Sequence, residues 1–266
     1  MAKQKKRRLA VQSSHTQHSK PSDNAHRSAK SAKVKKPEPT IPFHAEDRIL
    51  LVGEGDFSFA KSIVEHHGCC DVTATCFDPK EVLFEKYQPQ AEKYVQYLED
   101  EGQPVLYGVD GTKLGSHKVL SKGGLFDKVM FNFPHVGGKT KDVNRQVRFN
   151  QELLVNFFTA AMTLLTTSGT IIVTLFEGEP YTLWNIRDLA RHSGLEVQRS
   201  FKFMAEVYPG YSHSRTLGNI EGGGGWKGED RDARTYVFQK KGVQKSPGGG
   251  GAKKRKRDGD SSDDGG

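Results

Sequence analysis

Ile49-Leu50-Leu51-Val52 runs into Gly53-Glu54-Gly55-Asp56-Phe57-Ser58 and on into Phe59-Ala60-Lys61-Ser62-Ile63. Four apolar residues, a glycine-punctuated turn and a renewed apolar pattern describe a buried strand that turns directly into a helix. The glycines permit positive φ and close backbone approach, and a helix that opens here offers unpaired N–H groups to a ligand. A nucleotide-like cofactor sits at such a junction in many α/β proteins, while in others the turn is only architectural.

Outward from this turn, strand and helix patterns alternate between about 46 and 240. Strands are expected at 48–53, 71–77, 104–108, 126–132, 169–175, 196–204 and 234–239, and helices at 57–67, 80–100 (interrupted near Pro89), 143–166 and 181–193. Alternation of this kind predicts an α/β fold around a mainly parallel sheet covered on both faces. The longest helix carries Val147, Leu154, Phe157, Phe158, Ala161 and Leu165 at helical spacing, a stripe that belongs to the core, as does Trp184. The stretch from Ala205 to Ala233 breaks the alternation. Long irregular segments within a domain are usually functional or disordered.

The ends are different in kind. Residues 1–40 hold eleven Lys/Arg against Asp23 and Glu38, residues 240–266 hold eight against four acids, and the intervening 41–239 has 21 basic and 26 acidic residues, a net charge of −5. Three segments follow: a disordered basic tail over 1–45, one folded domain over 46–240, and a Gly-rich basic tail over 241–266. Flexible basic arms of this type gather a polyanion such as RNA, and Lys5-Lys6-Arg7-Arg8 and Lys253–Arg257 also suit nuclear import. No apolar stretch approaches a membrane span, and Cys69, Cys70 and Cys76 are too few and too close for a disulfide framework or a metal site.

Further chemistry is expected at the carboxyl ends of the other strands. Asp78-Pro79 follows the second strand, about 25 residues after Gly53, where an acid accepts ribose hydroxyls or caps the next helix. Asp110 follows the third strand, placed to accept from an adenine amino group or to make a turn with Gly111. After the fourth strand comes Asn132-Phe133-Pro134-His135, which resembles the Asn-Pro-Pro-aromatic loop of methyltransferases acting on nitrogen. His135 stands in place of the aromatic. Such a loop offers a hydrogen-bonding amide to the target nitrogen and an apolar wall to a planar base.

Together with Glu179-Pro180-Tyr181-Thr182-Leu183-Trp184 and Tyr208-Pro209-Gly210-Tyr211-Ser212-His213-Ser214-Arg215-Thr216, these motifs make residues 47–239 resemble the 25S ribosomal RNA (uridine-N3)-methyltransferase family. The resemblance implies a Rossmann-like, seven-stranded methyltransferase sheet whose last strand is antiparallel beside the fifth. It also implies S-adenosylmethionine as donor, held by Gly53, Glu54, Gly55, Asp56, Phe57, Ser58, Asp78, Asp110 and Asn132, and methylation of a uridine N3 in large-subunit rRNA. Pre-ribosomes as partners, nuclear and nucleolar residence, a monomer, and no need of metal or membrane complete the expectation.

Uridine N3 is an imide nitrogen that attacks well only once its proton has left, so a proton acceptor is required. His135 ranks first for this role and Asp56 second, with Asn132 orienting the base. Phe133, Pro134, Tyr208, Tyr211, His213 and Arg215 are expected to contact the base or its phosphate, and Lys139 and Arg145, with Lys141 and Arg148, the RNA backbone. His213 also fits a structural histidine, and the lysines and arginines a solvated helix start. Two other functions fit parts of the pattern: an assembly factor that has lost catalysis, and a nicotinamide-dependent oxidoreductase. Ser58 stands where the third glycine of the dinucleotide fingerprint belongs, which speaks against the latter.

Overall fold

A computed structural model of the chain describes residues 39–138, 140–216, 218–219 and 228–242. The basic tail expected over 1–45 lies outside them up to residue 38, as do Lys139 and the C-terminal segment from 243 onward. The elements are β1 (Arg48–Val52), α1 (Ser58–His67), β2 (Asp71–Thr75), α2 (Lys80–Lys86), α3 (Gln90–Asp100), β3 (Val105–Leu106), α4 (Lys118–Lys122), β4 (Phe126–Asn132), α5 (Val143–Met162), β5 (Leu165–Phe176), α6 (Ile186–His192), β6 (Leu195–Lys202) and β7 (Ala233–Lys240). The strands form one sheet in the order β3-β2-β1-β4-β5-β7-β6. Strands β1 to β5 pair in parallel, and β7 inserts antiparallel between β5 and β6, as expected.

The apolar run at β1 exists because both faces of this sheet are covered. Ile49 and Leu51 pack with α1 and α3 on one face, while Leu50 and Val52 pack with α5 and α6 on the other. Chain order reverses between β1 and β4, which leaves a crevice outside the carboxyl ends of the strands at that switch point.

Three expectations shift. The helix expected over 143–166 ends at Met162, and Leu165 opens β5 opposite Phe126. Its spacing matches the helical stripe, but it is buried as a strand residue. The expected helix over 181–193 begins as a 3-10 turn, Tyr181–Trp184, and is broken by Asn185 at φ 50°. The five-residue α4 was not anticipated, being too short to show a period.

Candidate active site

The turn after β1 is built around two left-handed residues. Gly53 has φ +69°, and a Cβ there would stand 2.5 Å from Cε2 of Phe131, so no side chain fits. Phe57 has φ 67° without being glycine, a conformation held by its complete burial. The Glu54 N–H donates to Thr75 O at 2.8 Å, tying the turn to β2.

The helix start does not offer its N–H groups as expected. Ser58 N–H donates to Asp56 Oδ1 at 3.0 Å, and Ala60 N–H donates to Glu54 Oε2 at 3.2 Å. Two orphan donors of α1 are therefore satisfied by the chain's own acids, and this end of the cavity is acidic. Burial pushes the Glu54 carboxyl up to about 8; the Ala60 N–H opposes this, and the neighbouring Asp56 carboxylate adds to it.

These groups line a cavity of about 640 Å³ at the carboxyl edge of the sheet, a size suited to a small-molecule ligand. Asp78 lines it with Lys86, whose Nζ donates to both carboxylate oxygens at 2.9 Å, and its side chain does not cap α2. Asp110 accepts from the Thr112 N–H at 2.9 Å and the Thr112 hydroxyl at 2.6 Å. Burial pushes its pKa up, but those bonds and Lys113 outweigh burial and hold it below the usual carboxylate range. Phe77, 69% exposed, lines the same wall and was passed over in sequence because it reads as a strand residue.

Asn132 closes β4 and lines the opposite wall. Its Oδ1 and Nδ2 are both shielded from water and have no hydrogen-bond partner among the described residues. A carboxamide so placed costs free energy unless a ligand satisfies it. The next residue, Phe133, has φ 51° and donates its N–H to Thr174 O at 2.8 Å, which turns the loop sharply off the sheet. His135 Nδ1 accepts from the Gly137 N–H at 2.9 Å. Burial lowers its pKa, and in a neutral ring an accepting Nδ1 leaves the proton on Nε2. His135 lines the cavity, and Nε2 is the ring nitrogen that this bond leaves unengaged.

Two residues that hold this loop were missed. Asn150 Oδ1 accepts from Val136 N–H at 3.0 Å, and Gln146 Nε2 donates to Gly137 O at 2.6 Å. Asn150 is only 1% exposed and falls three residues after Val147, on the apolar stripe of α5. A polar residue on a core stripe is the signal that could have found it.

A strap formed by residues 211–216 with 218–219 covers the turn. Ser58 Oγ donates to Ser212 O at 3.0 Å and lies 3.2 Å from Ser212 N; Tyr87 donates to Arg215 O at 2.9 Å, and Asn219 N–H to Lys86 O at 2.7 Å. Tyr211 and His213 line the cavity, with the Tyr211 hydroxyl 3.0 Å from His213 Nδ1 and the His213 ring 4.5 Å from Phe133. Burial, aided by the Arg231 charge, pushes His213 down to about 4.

Tyr208 does not join them. It is buried among Phe43, Phe59, His67 and Phe203, stacked on Phe203 at 5.5 Å, so its expected substrate contact is corrected to a core role. Pro134 is buried, and Arg145 is exposed on the first turn of α5, where its N–H caps onto Asp142; neither lines the cavity, nor does Arg215. Among the described residues no group of three or more His, Cys, Asp or Glu could hold a metal ion, and no helix is long and apolar enough to cross a membrane.

The model of the BMT5-like family, described as rRNA (uridine-N3-)-methyltransferase BTM5-like, matches residues 50–215. The chain is 34% identical over 252 residues to the 25S rRNA (uridine(2634)-N(3))-methyltransferase of Saccharomyces cerevisiae, covering 75% of this chain and 74% of that protein. The chain belongs to this family. It is also 33% identical to the ferredoxin-fold anticodon-binding domain-containing protein 1 homolog of Mus musculus, covering 72% of this chain but 30% of that longer protein. A TehB-like SAM-dependent methyltransferase from Corynebacterium glutamicum superposes with TM-score 0.41 at 17% identity, over 73% of this chain and 80% of that one. The BMT5-like match contains all the candidate site residues, from Gly53 to Arg215, and stops short of β7.

Proposed function

We propose that this chain uses S-adenosylmethionine to methylate N3 of a uridine in large-subunit ribosomal RNA, working in the nucleolus on the pre-ribosome. The observation that carries the reading is the unpartnered Asn132 carboxamide on one wall of a cavity whose other wall bears Glu54, Asp56, Asp78 and Asp110. Four carboxyl groups suit a ligand with ammonium, sulfonium and hydroxyl groups and oppose the pyrophosphate of a dinucleotide. When bound, S-adenosylmethionine supplies a methyl group on a cationic sulfur.

The chain's own residues then divide the work. Gly53 and Gly55 let the backbone approach the donor, Glu54 and Asp56 face its cationic part, and Asp78 and Asp110 offer acceptors to its hydroxyl and amino groups. On the acceptor side, Asn132 hydrogen bonds the edge of the uracil, His135 Nε2–H donates to a carbonyl oxygen, and Phe133 supplies an apolar wall. Asp56 takes the N3 proton at the carboxylate oxygen not engaged by Ser58, so it replaces His135 as the first-ranked acceptor. Holding nitrogen and methyl carbon in line accounts for much of the acceleration. The basic tails, 1–45 and 241–266, raise the local RNA concentration around a monomer.

Calorimetric titration of the full chain with S-adenosylhomocysteine and with NAD tests the donor assignment. Binding of the first and not the second is expected, and binding of NAD alone contradicts it.

A further inference from the structure

The folded region has more acids than bases, so an RNA strand must be met by a few placed cations. Several cations around the carboxyl edge of the sheet are already neutralised. Lys202 pairs with Asp232 at 2.7 Å, Arg234 with Glu177 at 2.6 Å, and Lys86 with Asp78 at 2.9 Å. Arg231 differs. It is exposed, and among the described residues no carboxylate pairs with it. Instead its guanidinium carbon lies 4.1 Å above the Phe176 ring and 5.5 Å from the Tyr181 ring.

The sheet register places this cation beside the acceptor side of the cavity. Asn132 pairs with Thr174 across β4 and β5, and Phe176 pairs with Ala233 across β5 and β7. Arg231 therefore stands on the same rim as the Asn132 loop, two residues before β7. The Phe176 ring beneath it lies 4.5 Å from Phe133 and 5.1 Å from His213, both on the cavity wall. Only one aromatic ring separates the guanidinium from the place proposed for the uracil.

We infer that Arg231, held over the Phe176 ring, binds a phosphate of the RNA strand next to the target uridine and so positions that nucleotide at the cavity. The inference rests on the RNA-methylating function proposed above. A guanidinium held over an aromatic ring has lost much of its freedom before binding, and its N–H groups can donate to a phosphate in bidentate fashion. Phosphate contacts of this kind set register and carry no base preference. Residue 231 lies beyond the family match and at the end of the irregular segment, where no motif draws attention to it.

Fluorescence anisotropy with a single-stranded, uridine-containing fragment of large-subunit rRNA at several salt concentrations, together with steady-state kinetics, tests this in the full chain. Arg231→Ala is expected to raise both Kd and KM for RNA roughly tenfold. It should also lower the slope of log K against log salt by about 0.7. The value of kcat and the affinity for S-adenosylhomocysteine should not change. Arg231→Lys should keep the salt slope and regain only part of the affinity, and Lys202→Ala should leave the slope as in the wild type. An unchanged slope and KM in Arg231→Ala overturns the inference, as does a fall in kcat with RNA binding intact. If the wild type methylates no rRNA uridine yet loses salt slope in Arg231→Ala, the proposed activity fails and the phosphate contact stands.

Discussion

Replacing Glu54 with glutamine should change how stability depends on pH, and in a direction opposite to that of most carboxylates. Burial pushes the folded-state pKa of Glu54 from 4.5 to about 8. Between those pH values the folded chain holds a proton at this site that the unfolded chain has released, so stability is full below pH 4.5 and falls as pH rises through about 8. At about 1.4 kcal/mol per pH unit the whole difference is roughly 5 kcal/mol. The turn keeps some contact with water, which brings the measurable loss to about 2–4 kcal/mol. In Glu54→Gln the carboxamide oxygen would still accept the Ala60 N–H, but the side chain never ionises. Urea denaturation of both proteins at pH 5, 6.5 and 8.5 isolates the effect: the variant should gain about 2–4 kcal/mol relative to the wild type across that range. A difference that stays constant with pH refutes the burial of this carboxyl. The same proton links to the donor, because a cation in the cavity favours ionised Glu54. The affinity ratio of S-adenosylmethionine to S-adenosylhomocysteine should therefore rise between pH 6 and 8 in the wild type and stay flat in Glu54→Gln.

Other outcomes follow from the acceptor wall. Asn132→Ala and His135→Ala should each abolish methylation while S-adenosylhomocysteine still binds by calorimetry; full activity in both removes their roles. Asn150→Leu leaves the Val136 N–H without its partner and should cost about 1–3 kcal/mol in urea denaturation, together with most of the activity. His213, pushed down to about 4, is neutral when folded, so the unfolded chain binds more protons below pH 6.5 and stability falls as pH drops toward 4. His213→Gln should remove about 2–3 kcal/mol of that acid sensitivity, read from melts at pH 4.5 and 7.

Much of this was legible in the chain. The strand-turn-helix at Gly53 and the acids after β2 and β3 identify themselves because a strand's carboxyl end is marked by an abrupt change from apolar to polar residues. The Asn132 loop is legible for the same reason. What was hidden is which hydrogen-bond partner each polar group takes once the chain has folded. Lys86 on Asp78, Gly137 on His135 and Asn150 under Val136 each redefine a site residue, and none follows from spacing. Tyr208 shows the limit from the other side: an aromatic next to Pro209-Gly210 looks like a loop residue, yet the adjacent Phe59 and Phe203 capture it in the core.

The proposed activity places one methyl group on one nitrogen of one base. Purified full-length protein, methyl-labelled S-adenosylmethionine and unmodified large-subunit rRNA, followed by nucleoside mass spectrometry, tests it most directly. Label in N3-methyluridine, absent with Asn132→Ala, is the predicted result. Label confined to any other nucleoside, or none in RNA while the donor is bound, would contradict it.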